Sequence, residues 1–296
     1  MARSIYIASP SAGTGKSTIT LGLISSLTKV VAKVGIFRPF VDTRDADPVL
    51  DLLLARSGST TPPEQAVGVT WDEYHADPEE SLSLIVDAYR AVAREHDVVV
   101  IDGSDYEDLT ATPRLALNAR VAANMGVPIM LVVSGAQSPE DVRSSVEVAV
   151  AEIAEHHARA VAVVANRCQP DTRQAVAAAL EGIPGLTSTT MPEVPLLSAP
   201  TIREISNALG GTPLAFMGDE ALMDREAEGM LVAAMDVSHV VDRLAEGQTV
   251  IVPADRSAVI VSIAAAHASA SFPALAALIL NGGFSPAPYA LSLMKG

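Results

Sequence analysis

The sequence predicts an α/β fold: a doubly wound, mostly parallel sheet, followed by a second, smaller α/β domain. Three observations predict it. Short apolar runs rich in Val and Ile alternate with helical patterns, as in chains that build parallel sheets covered on both faces. Turn residues separate each run from the helix that follows it. A glycine-rich loop, Ser9-Pro10-Ser11-Ala12-Gly13-Thr14-Gly15-Lys16-Ser17, joins the first run to the first helix.

Taken in order, residues 4–8 form a first strand, too short for the apolar core of a signal peptide. The loop then opens a helix over 16–28. Further strands are expected over 33–37, 98–101, 128–133 and 160–165, and helices over 48–57, 78–96, 112–125, 139–155 and 172–180. Pro48, Pro78 and Pro139 stand where a proline suits the first helical turn, and Thr112 and Thr172 suit a helix start. Trp71 and Tyr74 lie in a polar segment and are expected to pack a loop. Gly210-Gly211-Thr212-Pro213, at the head of a change of pattern that runs to Gly218, marks a boundary, giving domains 1–212 and 213–296. In the second domain strands over 230–235, 249–252 and 276–280 alternate with helices over 237–244 and 256–268, and the domain reads as incomplete at its C-terminus.

Composition narrows the partners. The 296 residues are 49% hydrophobic, enough for each domain to bury a core. Thirty-five acidic against twenty basic residues give a formal charge of -15, and no basic run offsets it, which argues against nucleic acid and anionic membrane as partners. Residues 257–294 carry no formal charge, but Pro273 and Gly282-Gly283 interrupt them, so a buried helix and strand are expected there rather than a membrane span. The charge-poor stretch also suggests burial against another domain or subunit, hence a homo-oligomer. Cys168 is the single cysteine and points to a reducing compartment, the cytoplasm. The histidines, including His156-His157, have no partners at metal-ligand spacing.

The loop carries the chemistry. Gly13 and Gly15 let its backbone curl so that N–H groups from Ser11, Ala12, Gly13, Thr14 and Gly15 turn inward. Lys16 reaches β/γ-phosphates, Ser17 or Thr18 meets Mg²⁺ and neighbouring phosphates, and the helix start adds its partial positive charge. This is the pattern of a P-loop, although Pro10 stands at the usual first glycine. An acidic residue at the end of an apolar strand completes a Mg²⁺ site, and Asp102 in Asp97-Val98-Val99-Val100-Ile101-Asp102-Gly103 is the candidate; the other reading is a turn cap. Asp42, Asp45 and Asp47 follow the second strand on the same edge, and Asp47 is a metal candidate beside the reading of a solvated acidic loop. Asn166 ends the fifth strand as either a purine contact or a turn residue, and Arg38 either binds an anion or covers the surface. ATP or another nucleotide with Mg²⁺ is the expected cofactor.

With the P-loop, Arg38-Pro39, Asp102-Gly103, Val164-Ala165-Asn166-Arg167 and Met191-Pro192-Glu193-Val194-Pro195-Leu196 in this order, the first domain resembles the dethiobiotin synthetase-like branch of P-loop proteins. Val252-Pro253-Ala254-Asp255-Arg256 and the later Asn281-Gly282-Gly283 resemble the DRTGG domain, with Asn281 in place of Thr. The pair resembles the N-terminal half of long-form phosphate acetyltransferases, actinobacterial type, which interconvert acetyl-CoA plus phosphate with acetyl phosphate plus CoA. Their catalytic domain follows the DRTGG domain. The resemblance implies a regulatory and assembly portion without catalytic residues, binding a nucleotide or small-molecule effector and partnered by the acetyltransferase domain of the same full-length protein. The alternative is a free-standing ATP-dependent ligase of the dethiobiotin synthetase type. Against it, Arg38 stands where that family has a substrate lysine, and the acceptor loop becomes Asp102-Gly103-Ser104-Asp105-Tyr106.

Overall fold

A computed structural model describes residues 2–44, 47–104, 114–214 and 220–294. Asp45, Asp105-Tyr106, Thr112 and the end of the boundary segment at Gly218 lie outside the described residues. The chain parts into two compact units, Met1–Glu193 and Val194–Gly296, and the glycine turn at 210–213 falls within the second unit.

The first unit runs β1 (Arg3–Ala8), α1 (Lys16–Leu27), β2 (Val34–Val41), α2 (Pro48–Ser57), β3 (Val67–Thr70), α3 (Trp71–Ala76), α4 (Pro78–Glu95), β4 (Val98–Asp102), α5 (Arg114–Met125), β5 (Ile129–Ser134), α6 (Pro139–Glu155), β6 (Ala160–Cys168), α7 (Arg173–Leu180) and β7 (Thr187–Pro192). Its seven strands lie in the order β3-β2-β4-β1-β5-β6-β7, every pair parallel. Alternation along β1 assigns the faces. Tyr6 and Ala8 join the core under α4, α5 and α6, whereas Ile7 joins the core under α1 and α2, with Ile24, Leu50, Leu53 and Leu54. Both faces are covered, which is why the strands read as unbroken apolar runs.

Local chemistry starts and stops these helices. Asp47 and Asp77 each accept two backbone N–H bonds at the head of a proline-led helix, and Ser138 accepts one. Thr70 and Glu73 form a reciprocal capping box on α3. The expectation that Trp71 and Tyr74 pack a loop is corrected here. Both lie on α3 and are buried: Trp71 stacks on Phe40 with ring centroids 4.6 Å apart, and Tyr74 meets Phe40 edge-on at 5.3 Å.

The second unit contains α8 (Ile202–Leu209), β8 (Gly229–Val232), α9 (Val237–Val241), β9 (Gln248–Pro253), α10 (Ser257–His267), β10 (Ala277–Asn281) and α11 (Pro288–Met294). Its three strands form a parallel sheet in the order β10-β9-β8. Val250 and Val252 pack on Val259, Ile260 and Ile263 of α10. The Asp255-Arg256 turn and the Asn281-Gly282-Gly283 turn meet at the carboxyl edge of this sheet, where the Ala254 N–H donates to the Asn281 carbonyl (3.0 Å). Among the described residues no helix is long and apolar enough to cross a membrane.

Candidate nucleotide site

The loop between β1 and α1 is shaped by its two left-handed glycines, Gly13 (φ 71°) and Gly15 (φ 77°). Its own side chains support it. The Ser9 hydroxyl donates to the Ser11 carbonyl (2.7 Å) and bonds the Thr14 hydroxyl (2.9 Å), and both residues are buried. Residues 12–18 line a recess of about 220 Å³. The Ile19 N–H is the donor to the Gly15 carbonyl, so the amides of Lys16, Ser17 and Thr18 precede the first helical bond and have no acceptor within α1. Together these features give the recess an anion-attracting end. Ser11, Ala12 and Thr18 are exposed, and Ser17 is half-buried.

Lys16 is only 3% exposed and its Nζ meets the Asp102 Oδ1 at 2.6 Å. The Thr20 hydroxyl donates to the same oxygen (2.8 Å). The Asp102 Oδ2 is buried without a hydrogen bond and lies 3.7 Å from Nε of Arg38. Arg38 in turn places Nη1 2.5 Å from the Asp47 Oδ1, the oxygen that also accepts the Val49 and Leu50 amides of α2. Lys16, Asp102, Arg38 and Asp47 therefore form a row of alternating charge along the carboxyl edge of the sheet. Asp47 occupies its far end as a helix cap and ion-pair partner, rather than in a freely solvated loop. Asp102, a turn residue in the competing reading, is turned inward on Lys16 and Thr20.

Gly103 explains how tightly this edge is built. A Cβ there would fall 2.5–2.6 Å from the Asn118 Oδ1, the Ile7 carbonyl and the Tyr6 ring. Asn118 accepts from the Tyr6 hydroxyl (2.6 Å) and the Ser104 N–H (2.9 Å), fixing the turn that follows Asp102. Asn166, at the end of β6, donates through Nδ2 to the Thr14 carbonyl (2.8 Å). The structure thus gathers residues 11–18, Asp102 and Asn166 at one edge. Thr20 and Asn118 belong to the same constellation and carried no local sequence signal, and Arg167 and Glu193, quoted from the sequence only within family motifs, join it. Cys168 is buried nearby, and burial pushes its thiol pKa up, partly offset by the positive charge of Arg173. No cluster of three His, Cys, Asp or Glu residues able to hold a metal occurs among the described residues.

The sequence matches the AAA domain over residues 3–201. The chain belongs to the AAA domain family. Behind the AAA domain a DRTGG domain matches residues 204–296, in agreement with the resemblance read from Asp255-Arg256 and Asn281-Gly282-Gly283. Over its whole length the chain is 28% identical to the phosphate acetyltransferase of Nitratidesulfovibrio vulgaris and 26% identical to that of Synechocystis sp.. It spans 44% of the length of each of these curated relatives. Among solved structures, the septum site-determining protein MinD complexed with Mg-ADP from Pyrococcus horikoshii is 19% identical, with a TM-score of 0.42 over 67% of this chain and 84% of that one. The AAA domain thus supplies the P-loop edge and the DRTGG domain the smaller sheet.

Proposed function

We propose that this chain is the N-terminal regulatory and assembly portion of a phosphate acetyltransferase, binding a nucleotide or small-molecule effector at its P-loop. The observation that carries the reading is the alignment of the entire chain, AAA and DRTGG domains together, within relatives of that name more than twice its length. The acetyltransferase domain of the full-length protein then performs the conversion of acetyl-CoA and phosphate to acetyl phosphate and CoA. No catalytic residue is assigned to this chain. The full-length protein is a cytoplasmic homo-oligomer in this reading.

The recess fits a nucleotide phosphate chain. Residues 12–18 line it, while the Ser11 N–H donates to the Ser9 hydroxyl (3.3 Å), and Lys16 would reach the β/γ-phosphates by leaving Asp102. Ser17 and Asp102 would hold Mg²⁺, Thr18 a neighbouring phosphate, and the Asn166 side-chain Oδ1 would meet the base while one N–H of its amide donates to the Thr14 carbonyl. Asp47 acts on the metal side only through Arg38. Bound Mg²⁺ supplies charge neutralisation for the phosphates. The buried, unbonded Asp102 Oδ2 supports this donor set.

Calorimetry with ATP, ADP and Mg²⁺ tests the reading. Binding below millimolar concentration is expected for the parent chain and weaker binding for Lys16→Ala. Failure of either nucleotide to bind at millimolar concentration would reject the nucleotide site. Acetyl phosphate formation by this chain alone is expected to be absent, and its presence would overturn the regulatory assignment.

A further inference from the structure

β6 does not keep register to its end. Ala165 lies opposite Thr190 and Cys168 opposite Pro192, so β6 carries one more residue than β7 over this stretch. Arg167 takes up the irregularity with φ 64°, a left-handed conformation uncommon outside glycine. Bulges of this kind re-aim side chains at functional edges. Here the Arg167 Nη1 donates to the Gly13 carbonyl (2.9 Å), while Nε reaches the Glu193 Oε2 (2.7 Å) and Nη2 the Oε1 (3.4 Å). Glu193 has a largely buried side chain, gives its own N–H to the Cys168 carbonyl (2.8 Å), and is the last residue before the two compact units part.

The planar peptide makes this contact consequential. The Gly13 carbonyl and the Thr14 N–H belong to one rigid unit and point opposite ways, as do the Thr14 carbonyl and the Gly15 N–H. Arg167 holds the first carbonyl and Asn166 the second, so the end of β6 dictates where two loop amides face. A ligand that draws on those amides acts on the same peptide units that Arg167 and Asn166 grip from behind.

We propose that Arg167 is a positioning residue that couples the P-loop to the Glu193–Val194 junction, so that a phosphate-bearing ligand on the loop changes the order of the segment entering the DRTGG domain. The ligand response rests on the nucleotide reading above; the brace itself does not.

Arg167→Gly keeps the left-handed backbone and deletes the guanidinium, and Glu193→Gln keeps the shape of its partner while removing the charge. Amide hydrogen exchange of residues 12–18 and 194–199 is compared in the parent and both variants, without ligand and with ATP and Mg²⁺. Without ligand, exchange is expected to rise roughly fivefold in both segments of Arg167→Gly, and by less in Glu193→Gln. With ATP, both segments slow in the parent and only the loop slows in Arg167→Gly. A ligand-free effect confined to one segment, or a surviving ATP response at 194–199 in Arg167→Gly, overturns the coupling. If ATP fails to bind the parent, the nucleotide reading is lost, and the ligand-free comparison alone decides the brace.

Discussion

Adding one methyl group at Gly15 should cost the protein far more than adding it at Gly13, two positions earlier in the same loop. Both glycines are left-handed, so alanine at either carries a backbone strain of about 1 kcal/mol. At Gly13 nothing lies within 4 Å of the new Cβ, and the strain is the whole cost. At Gly15 the Cβ falls 2.5 Å from the Asn166 Nδ2, which must withdraw and give up its bond to the Thr14 carbonyl. Losing a buried amide bond adds about 1–3 kcal/mol. Gly13→Ala should therefore lower the melting temperature by roughly 3 °C and Gly15→Ala by roughly 10 °C, at about 2–4 °C per kcal/mol for a domain of this size. Thermal and urea unfolding of both single variants, and of Gly15→Ala made on Asn166→Ala, are the assays. On the Asn166→Ala background the Gly15 substitution should fall back to about 1 kcal/mol, because the obstructing amide is gone. Equal losses at the two glycines, or additive losses in the double variant, would refute the close approach of Asn166 to the loop.

Other substitutions probe the charged edge and the helix ends. Asp102→Ala removes the carboxylate that meets the buried ammonium of Lys16 and faces the guanidinium of Arg38, and should cost about 3 kcal/mol in urea unfolding; a loss below about 1 kcal/mol would contradict the paired geometry. Cys168, buried and with its thiol pKa raised by burial, should react with a disulfide reagent on the order of 100-fold more slowly in the native protein than in denaturant, as read by thiol absorbance. The Thr201 backbone N–H, then its hydroxyl, holds the Glu204 carboxyl below its ordinary value. With the folded value lower than the unfolded one, the cap's contribution to α8 is complete above about pH 4.3 and fades as pH falls through the folded value. Protection of the α8 amides should show that acid-side loss, and Glu204→Gln should abolish it.

Much of the fold is legible because parallel sheets advertise themselves. β1, β2, β4, β5 and β6 are apolar runs, and Pro48, Pro78 and Pro139 mark their helix starts to the residue. The edge strands are not legible for the reason that they are edges. β7 is Thr-Ser-Thr-Thr-Met-Pro, largely open to water and without an apolar run, and β3 is four residues long with Gly68 pressed against the Pro39 carbonyl. α3 spans six residues, too few for a helical period to show, and its polar letters hide two core aromatics. The P-loop is a local pattern and needs only the sequence. Its supports are contacts across the sheet, Lys16 to Asp102 and Arg167 to Gly13, and no spacing rule reveals a left-handed arginine.

The all-parallel sheet also sets an order of events. β1 has only β4 and β5 as neighbours, with Arg3 beside Val98 and Tyr6 beside Ile129. During synthesis β1 thus has nothing to pair with until about ninety further residues have followed, roughly ten seconds of elongation. The loop emerges well before its supports and is completed only when β6 delivers Asn166 and Arg167 to its carbonyls. A nascent or proteolysed fragment that stops short of β6 carries every letter of the P-loop and lacks the side chains that hold the Gly13 and Thr14 carbonyls.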